Sequence, residues 1–229
     1  MPITYMIDAQ NWMGLSDSHI HNICPQHGLV KDAKEAFESM QQAAQKDNID
    51  IQLASSFRSF DRQLNIWQKK WSGDLPINDF DSQPLDTSQF TALEKIHAIM
   101  LWSALPGASR HHWGTDLDVF DKRAIENSGQ PLQLISSEYD ISGPCYNLHC
   151  WLDENADKFD FYRPYKNYTG GVAPEAWHLS YAPISKRIIE HLDLDILATQ
   201  LAATEIGGKA AILEHLNELF ERYTLNGMR

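Results

Sequence analysis

The 229-residue chain is short of cysteine, of basic side chains and of long apolar runs, and each shortage removes a class of protein. Cys24, Cys145 and Cys150 are an odd set without framework spacing, which excludes a disulfide scaffold and allows at most one bridge. Cys145 and Cys150 are expected in or beside a helix as buried thiols. No stretch approaches the roughly eighteen apolar residues of a membrane-crossing helix. Lysine and arginine total 19 against 31 acidic residues, for a formal net charge of -12. Nucleic acid and anionic bilayers are held by clustered cations, and no such cluster is present, so neither is an expected partner. Met1 to Gln10 has neither the basic start nor the apolar core of a secretory leader. That reads as cytoplasmic, or as periplasm or cell envelope where a leader has been removed. Oligomeric state has no signal.

What is present is enough apolar residue, 43%, for one substantial core, and the chain reads as a single domain over residues 1–229. Val30, Ala33, Ala36, Phe37, Met40 and Ala44 recur at helical spacing, predicting a helix from Val30 to about Lys46. Alternating Ile49, Ile51 and Leu53 predict a strand over Ile49 to Ala54. Ser59 suits the start of a helix running to about Trp71, with Arg58 at the junction where a side chain can enter a cleft. Gly73 to Ser88 is long for an unstructured connection, as lids, binding loops and insertions are. A helix is predicted over Gln89 to Ala104, stopped by Pro106-Gly107, then a buried strand through Leu117, Val119 and Phe120. Lys122 to Pro144 reads as a hairpin or excursion turning at Asn127-Ser128-Gly129. A helix from Tyr146 to about Phe159, strands over Phe159 to Tyr168 and Glu175 to Tyr181, and terminal helices over Ile184–Leu201 and Lys209–Tyr223 complete the reading. The first thirty residues read as irregular. His19, His21, Cys24 and His27 cluster there, but a zinc knuckle needs a second cysteine and tighter spacing, so a solvated loop is expected.

The chemistry is concentrated in Ser109-Arg-His-His-Trp-Gly-Thr-Asp-Leu-Asp-Val-Phe-Asp121 and in Pro174-Glu-Ala-Trp-His-Leu-Ser-Tyr181. Together they offer a His/His/carboxylate set, which leaves a zinc ion an open position for water, and a further carboxylate to take a proton. His111 and His112 compete for one place, and Asp116, Asp118 and Asp121 for another. The gap from His111 to Asp118 is odd, so on one straight strand the two would face opposite ways. A turn at Gly114 is required to join them. Glu175 and His178 would likewise diverge on a regular strand, which predicts an irregular start after Pro174. The same donors suit Fe(II) in a facial triad, whose ligands are usually closer in sequence. His97, His149, His191 and His215 fall on predicted helices without ligand partners and read as structural or surface residues.

Ser109-x-His111-x-x-Gly114-x-x-x-Asp118, followed by Glu175-x-Trp177-His178, resembles the VanY-type D-alanyl-D-alanine carboxypeptidases of the LAS group of zinc peptidases. Ser56-Phe57-Arg58-Ser59 with Gln63 is similar to that group's arginine motif. The run from Trp151 through Asn155 to Phe161, with Arg163-Pro164-Tyr165, is similar to the segment before its Glu-x-Trp-His. Four motifs in order, over a core of about residues 50–182 followed by a helical pair at about 184–223, make the match specific.

The resemblance implies an α+β fold in which a small antiparallel sheet carries a zinc site in a cleft flanked by helices. It implies one Zn2+ per chain on His111, Asp118 and His178, Glu175 as catalytic base, and Arg58 on the substrate's carboxylate or the developing oxyanion. Gln63, Ser109 and Trp177 are expected to touch substrate, and Asp116 and His112 to support the ligands. Asp116 stands where the family usually has a small residue. Ala176 replaces a common proline, and Leu179-Ser180 a more basic pair. The implied activity is zinc-dependent removal of a terminal D-amino acid from a peptidoglycan stem peptide. L,D-carboxypeptidase, D-Ala-D-Ala dipeptidase and endopeptidase action are alternatives within the group. A non-catalytic zinc-binding recognition domain is the alternative outside it, and its mark would be loss of Glu175 or Arg58.

Overall fold

A computed structural model describes residues 8–226; part of the leader expectation for Met1 to Gln10 lies outside the described residues. The order opens with helix α1 (Ala9–Trp12), strands β1 (His21–Cys24) and β2 (His27–Leu29), helix α2 (Lys31–Lys46), strand β3 (Ile51–Ser55) and helices α3 (Phe60–Ser72) and α4 (Ala92–Met100). A 3-10 turn at Arg110–Trp113 leads into β4 (Asp116–Asp121), α5 (Lys122–Ser128) and α6 (Tyr146–Asn155). Strands β5 (Phe161–Tyr162) and β6 (His178–Tyr181) follow, then helices α7 (Ala182–Ile189), α8 (Leu194–Ala203), α9 (Lys209–Glu214) and α10 (Leu216–Leu219), and a π turn at Phe220–Leu225. No helix among the described residues is long and apolar enough to cross a membrane.

The central sheet is fully antiparallel, in the order β3-β4-β6-β5, and this is the small sheet of an α+β fold. Its middle strands pair Asp116 with Ser180, Leu117 with Leu179, and Asp118 with His178. Because side chains alternate across a strand, that register puts Asp116, Asp118, His178 and Ser180 on one face and Leu117 and Leu179 on the other. Leu117, Val119 and Leu179 have no exposure and belong to the main core with Phe37, Met40, Ile96 and Ile99. Each such aliphatic side chain contributes about 1.5–3 kcal/mol by burial. Helix α2 buries Ala33, Phe37, Met40 and Ala44 and packs on β3, whose Ile51 carbonyl accepts from Gln41 at 2.7 Å.

Several predicted elements differ from those observed. The first thirty residues contain α1 and the β1–β2 ribbon, where an irregular run was expected. The expected hairpin at Lys122 to Pro144 begins as helix α5: Asp121 caps it by accepting from Ala124 N–H, and Gly129, at φ 68°, ends it. The strand expected over Phe159 to Tyr168 is only Phe161–Tyr162, and the one expected from Glu175 begins at His178. The terminal pair is divided further. Asp193 accepts from the Asp195 and Ile196 N–H groups and starts a separate helix, α8, while the last segment turns at His215 between α9 and α10. Cys145 is buried and Cys150 half-buried, both free, at the start of and within α6.

Candidate active site

His111 reaches the sheet because the chain turns before β4. It sits on the 3-10 turn, which ends at Gly114 with φ 70°, a left-handed conformation that costs a side-chain-bearing residue about 1–2 kcal/mol. A Cβ at Gly114 would also run into Ile20. The turn required by the odd spacing is therefore present. Glu175 precedes β6 on irregular chain, as its spacing from His178 required, and its N–H donates to the Tyr165 carbonyl at 2.9 Å.

One donor atom each from His111, Asp118 and His178 lies within 4.8 Å of the others, and all three residues are buried. His111 Nε2 is 3.3 Å from Asp118 Oδ2, and His178 Nδ1 is 3.1 Å from Asp118 Oδ1 and 3.3 Å from Glu175 Oε2. The outer ring nitrogens fix the tautomers. His111 Nδ1 faces the Ser56 carbonyl at 3.0 Å and must donate to it; His178 Nε2 donates to Asp116 Oδ1 at 3.0 Å. The inner nitrogens are left as lone pairs directed at a carboxylate, and Asp118 Oδ1 has no hydrogen-bond partner. Lone pairs converging in a buried space require a cation, so the donor set fits a divalent metal with His/His/Asp coordination.

Asp116 supports this set. Its Oδ1 also accepts from Arg110 Nε at 2.6 Å, and its Oδ2 accepts from Thr115 at 2.6 Å and Ser180 at 3.1 Å. Burial opposes the charge, but Arg110 and these hydrogen bonds outweigh it and hold the Asp116 carboxyl at about 2. His112 is not in the cluster. It is fully buried, with Nδ1 on the Arg58 carbonyl and Nε2 accepting from Gly107 N–H at 3.0 Å. Burial pushes its pKa down to about 3, so it is a neutral bridge. Asp121 caps α5 and takes no part.

Burial lowers the pKa of His111 and raises that of Glu175. Burial alone would also lower His178, but its hydrogen bond to Asp116 and the close Asp118 and Glu175 carboxylates prevail, and its pKa stands well above the ordinary histidine value. In the absence of a metal, a proton therefore occupies the place of the cation.

These groups open into a cleft of about 300 Å³, lined among others by Arg58, Ser109, Glu175 and Trp177. Arg58 is anchored at both terminal nitrogens, by Gln63 Oε1 at 2.7 Å and Ser55 Oγ at 2.9 Å. Gln63, expected to touch substrate, is instead fully buried behind Arg58, and its amide donates to the Ala104 carbonyl at 2.7 Å. Trp177 stacks on Trp102, with centroids 6.0 Å apart, as cleft wall. Two residues had no assigned role in the sequence. Tyr165 lines the cleft with its ring against His178 at 5.0 Å, and Arg110 was hidden because nothing in its local sequence pairs it with Asp116. Among the described residues, His19, His21, Cys24 and His27 form no metal-holding group, and His27 instead bonds Ser56 at 3.0 Å.

The VanY D-alanyl-D-alanine carboxypeptidase family model matches residues 26–184. An uncharacterized protein of Haemophilus influenzae is 36% identical over 121 residues, 52% of this chain and 92% of that protein. A D-alanyl-D-alanine carboxypeptidase of Enterococcus faecalis is 26% identical over 145 residues, covering 62% of this chain but 44% of that protein, so the chain spans less than half of its length. The fold is shared with a mutant of the vancomycin-resistance D,D-pentapeptidase VanY solved in complex with Zn(II), at TM-score 0.52 and 22% identity over 76% of this chain and 84% of that one. Because the family model spans well over half of the chain and takes in all the residues of the metal-fitting cluster, the chain belongs to the VanY D-alanyl-D-alanine carboxypeptidase family.

Proposed function

We propose that the chain is a zinc-dependent carboxypeptidase that hydrolyses the terminal D-amino acid from peptidoglycan stem peptides of the D-Ala-D-Ala type. The observation that carries this reading is the convergence of His111, Asp118 and His178 within 4.8 Å beside Glu175, in the cleft that also holds Arg58. Zinc is the cation of the related VanY complex, and on this donor set it would supply Lewis acidity and a water acidic enough to react at neutral pH.

The chain's own groups would do the rest. Glu175, buried and with a raised pKa, is suited to take a proton from the attacking water and return it to the leaving amine. Arg58, held flat by Gln63 and Ser55, presents its remaining N–H donors to a carboxylate or a developing oxyanion. His112 holds the Arg58 main chain, and Asp116 keeps His178 turned so that Nδ1 faces inward. Both Glu175 and Arg58 are in place, which favours an enzyme over a recognition domain.

The test is incubation of the purified protein with muropeptides ending in tripeptide, tetrapeptide or pentapeptide, with zinc or with chelator. Release of one D-alanine from the pentapeptide, lost on chelation, is the expected result. Release from the tetrapeptide alone would reassign the activity as L,D-carboxypeptidase, and release of a dipeptide as D,D-dipeptidase. No release from any of them would overturn the reading.

A further inference from the structure

Helix α3 brings a second cation to the cleft. Ile66 and Lys70, one helical turn apart, both line it, and the neighbouring charge acting on Lys70 is Arg58. Lys70 is half-buried and makes no hydrogen bond or ion pair with any described residue. Lys31, Lys34, Lys122, Lys166 and Lys209, by contrast, each pair with a nearby carboxylate.

Two other polar groups lining the cleft are also unmatched. Arg58 Nε and Asn78 Oδ1 are buried without partners. Asn78 belongs to the long connection between α3 and α4, which Trp102 pins by donating from Nε1 to the Asp79 carbonyl at 2.9 Å. An asparagine amide can turn either its oxygen or its NH2 group to a ligand. Two cations side by side in a partly desolvated space repel each other until an anion lies between them.

We propose that Lys70 and Arg58 form one anion subsite for the α-carboxylate of the residue being released, with the Asn78 amide as its third polar contact. The proposal rests on the carboxypeptidase reading and adds to it the group that selects a free C-terminus. Arg58 precedes α3 and Lys70 lies on its later turns, and both line the cleft that holds Asp118, Glu175 and His178. On the carboxypeptidase reading the cleft must also take a terminal carboxylate one residue beyond the scissile bond, and these two cations are the groups lining it that suit one.

The experiment compares N-acetyl-D-Ala-D-Ala with its C-terminal amide on zinc-loaded wild type, Lys70→Met and Lys70→Arg. Both hydrolysis and calorimetric binding are followed, with N-acetyl-L-Ala-L-Ala as stereochemical control. Lys70→Met is expected to lower kcat/KM for the free acid about 10- to 100-fold, mainly through KM, and to leave the amide unchanged. Lys70→Arg should restore most of the loss, and the melting temperature of Lys70→Met should not fall. Equal losses on acid and amide, or no loss, would overturn the subsite. If wild type hydrolyses none of the peptides yet binds acids over amides in a Lys70-dependent way, the carboxypeptidase reading fails while the subsite stands.

Discussion

Asp116 Oδ1 accepts from His178 Nε2 at 3.0 Å and from Arg110 Nε at 2.6 Å, so one carboxylate both orients a metal-fitting imidazole and neutralises a buried guanidinium. Both partners are almost fully enclosed. Removing the charge at Asp116 therefore has two separable consequences, because one partner affects stability and the other the metal.

Asp116→Asn is expected to cost about 3–5 kcal/mol of stability, since Arg110 is left buried without its counter-charge. The same change should weaken zinc binding about 10- to 100-fold. Replacing the pair together, as Arg110→Met with Asp116→Ala, should return much of the stability but not the affinity. Urea unfolding and competition with a chromogenic chelator read the two effects. A double variant that regained full zinc affinity would show that Asp116 does not act through His178.

Glu175→Gln keeps the shape of the side chain and removes its ability to carry a proton. Its carboxylate lies 3.3 Å from His178 Nδ1, close enough to act on a water at the metal but outside the three-residue donor set. The variant should bind one zinc per chain and lose about 10²- to 10⁴-fold in kcat. Metal analysis beside a turnover assay decides the point. Near-normal turnover would move the base elsewhere, and loss of zinc would make Glu175 a ligand.

The strands through Ile51 and Leu117 were legible in the apolar alternation, whereas spacing alone left His111 against His112 and Asp118 against Asp116 and Asp121 open, and only the resemblance singled out the donor set. The odd gap from His111 to Asp118 demanded a turn, and Gly114 was there to make it. What escaped depended on caps and on register. Asp121 followed by Asn127-Ser128-Gly129 reads equally as a turn-rich excursion or as a capped two-turn helix; only the Asp121 to Ala124 bond decides for the helix. Thr91 and Glu94 form a capping box that starts α4 at Ala92, three residues after the expected start at Gln89. Arg110 and Gln63 could not be placed, since their partners are fixed by strand pairing and by the approach of α3 to the Ala104 carbonyl.

Metal binding should be strongly pH-dependent. In the metal-free protein His178 is held well above its ordinary pKa, so near pH 7 zinc must displace a proton from Nδ1. Affinity should rise with pH, by about tenfold per pH unit for each proton released. The sign for stability is opposite. A raised histidine pKa contributes stability to the metal-free fold that is fully present below the unfolded value of 6.5 and is lost as pH rises through the folded value. Calorimetric titration with zinc in buffers of different ionisation enthalpy counts the protons. A count of zero would mean that His178 is already neutral.

His112 makes the opposite prediction at acid pH. Its Nδ1 must donate to the Arg58 carbonyl and its Nε2 must accept from Gly107 N–H, so the fold requires the neutral ring. Burial depresses its pKa from 6.5 to about 3. Between those values the unfolded chain binds a proton that the folded chain refuses, and stability falls as pH drops from 6.5 toward 3. At about 1.4 kcal/mol per pH unit the loss from this one group is at most about 5 kcal/mol. His112→Phe removes the titration but strands the Gly107 N–H and the Arg58 carbonyl, which costs about 1–3 kcal/mol for each group at all pH values. Its unfolding free energy should thus start lower at pH 7 and decline less steeply toward pH 4 than that of the wild type, both measured by urea unfolding with chelator present. Parallel slopes would mean that the ring is protonated in the folded protein and that the Arg58 main chain is held by something other than a neutral His112.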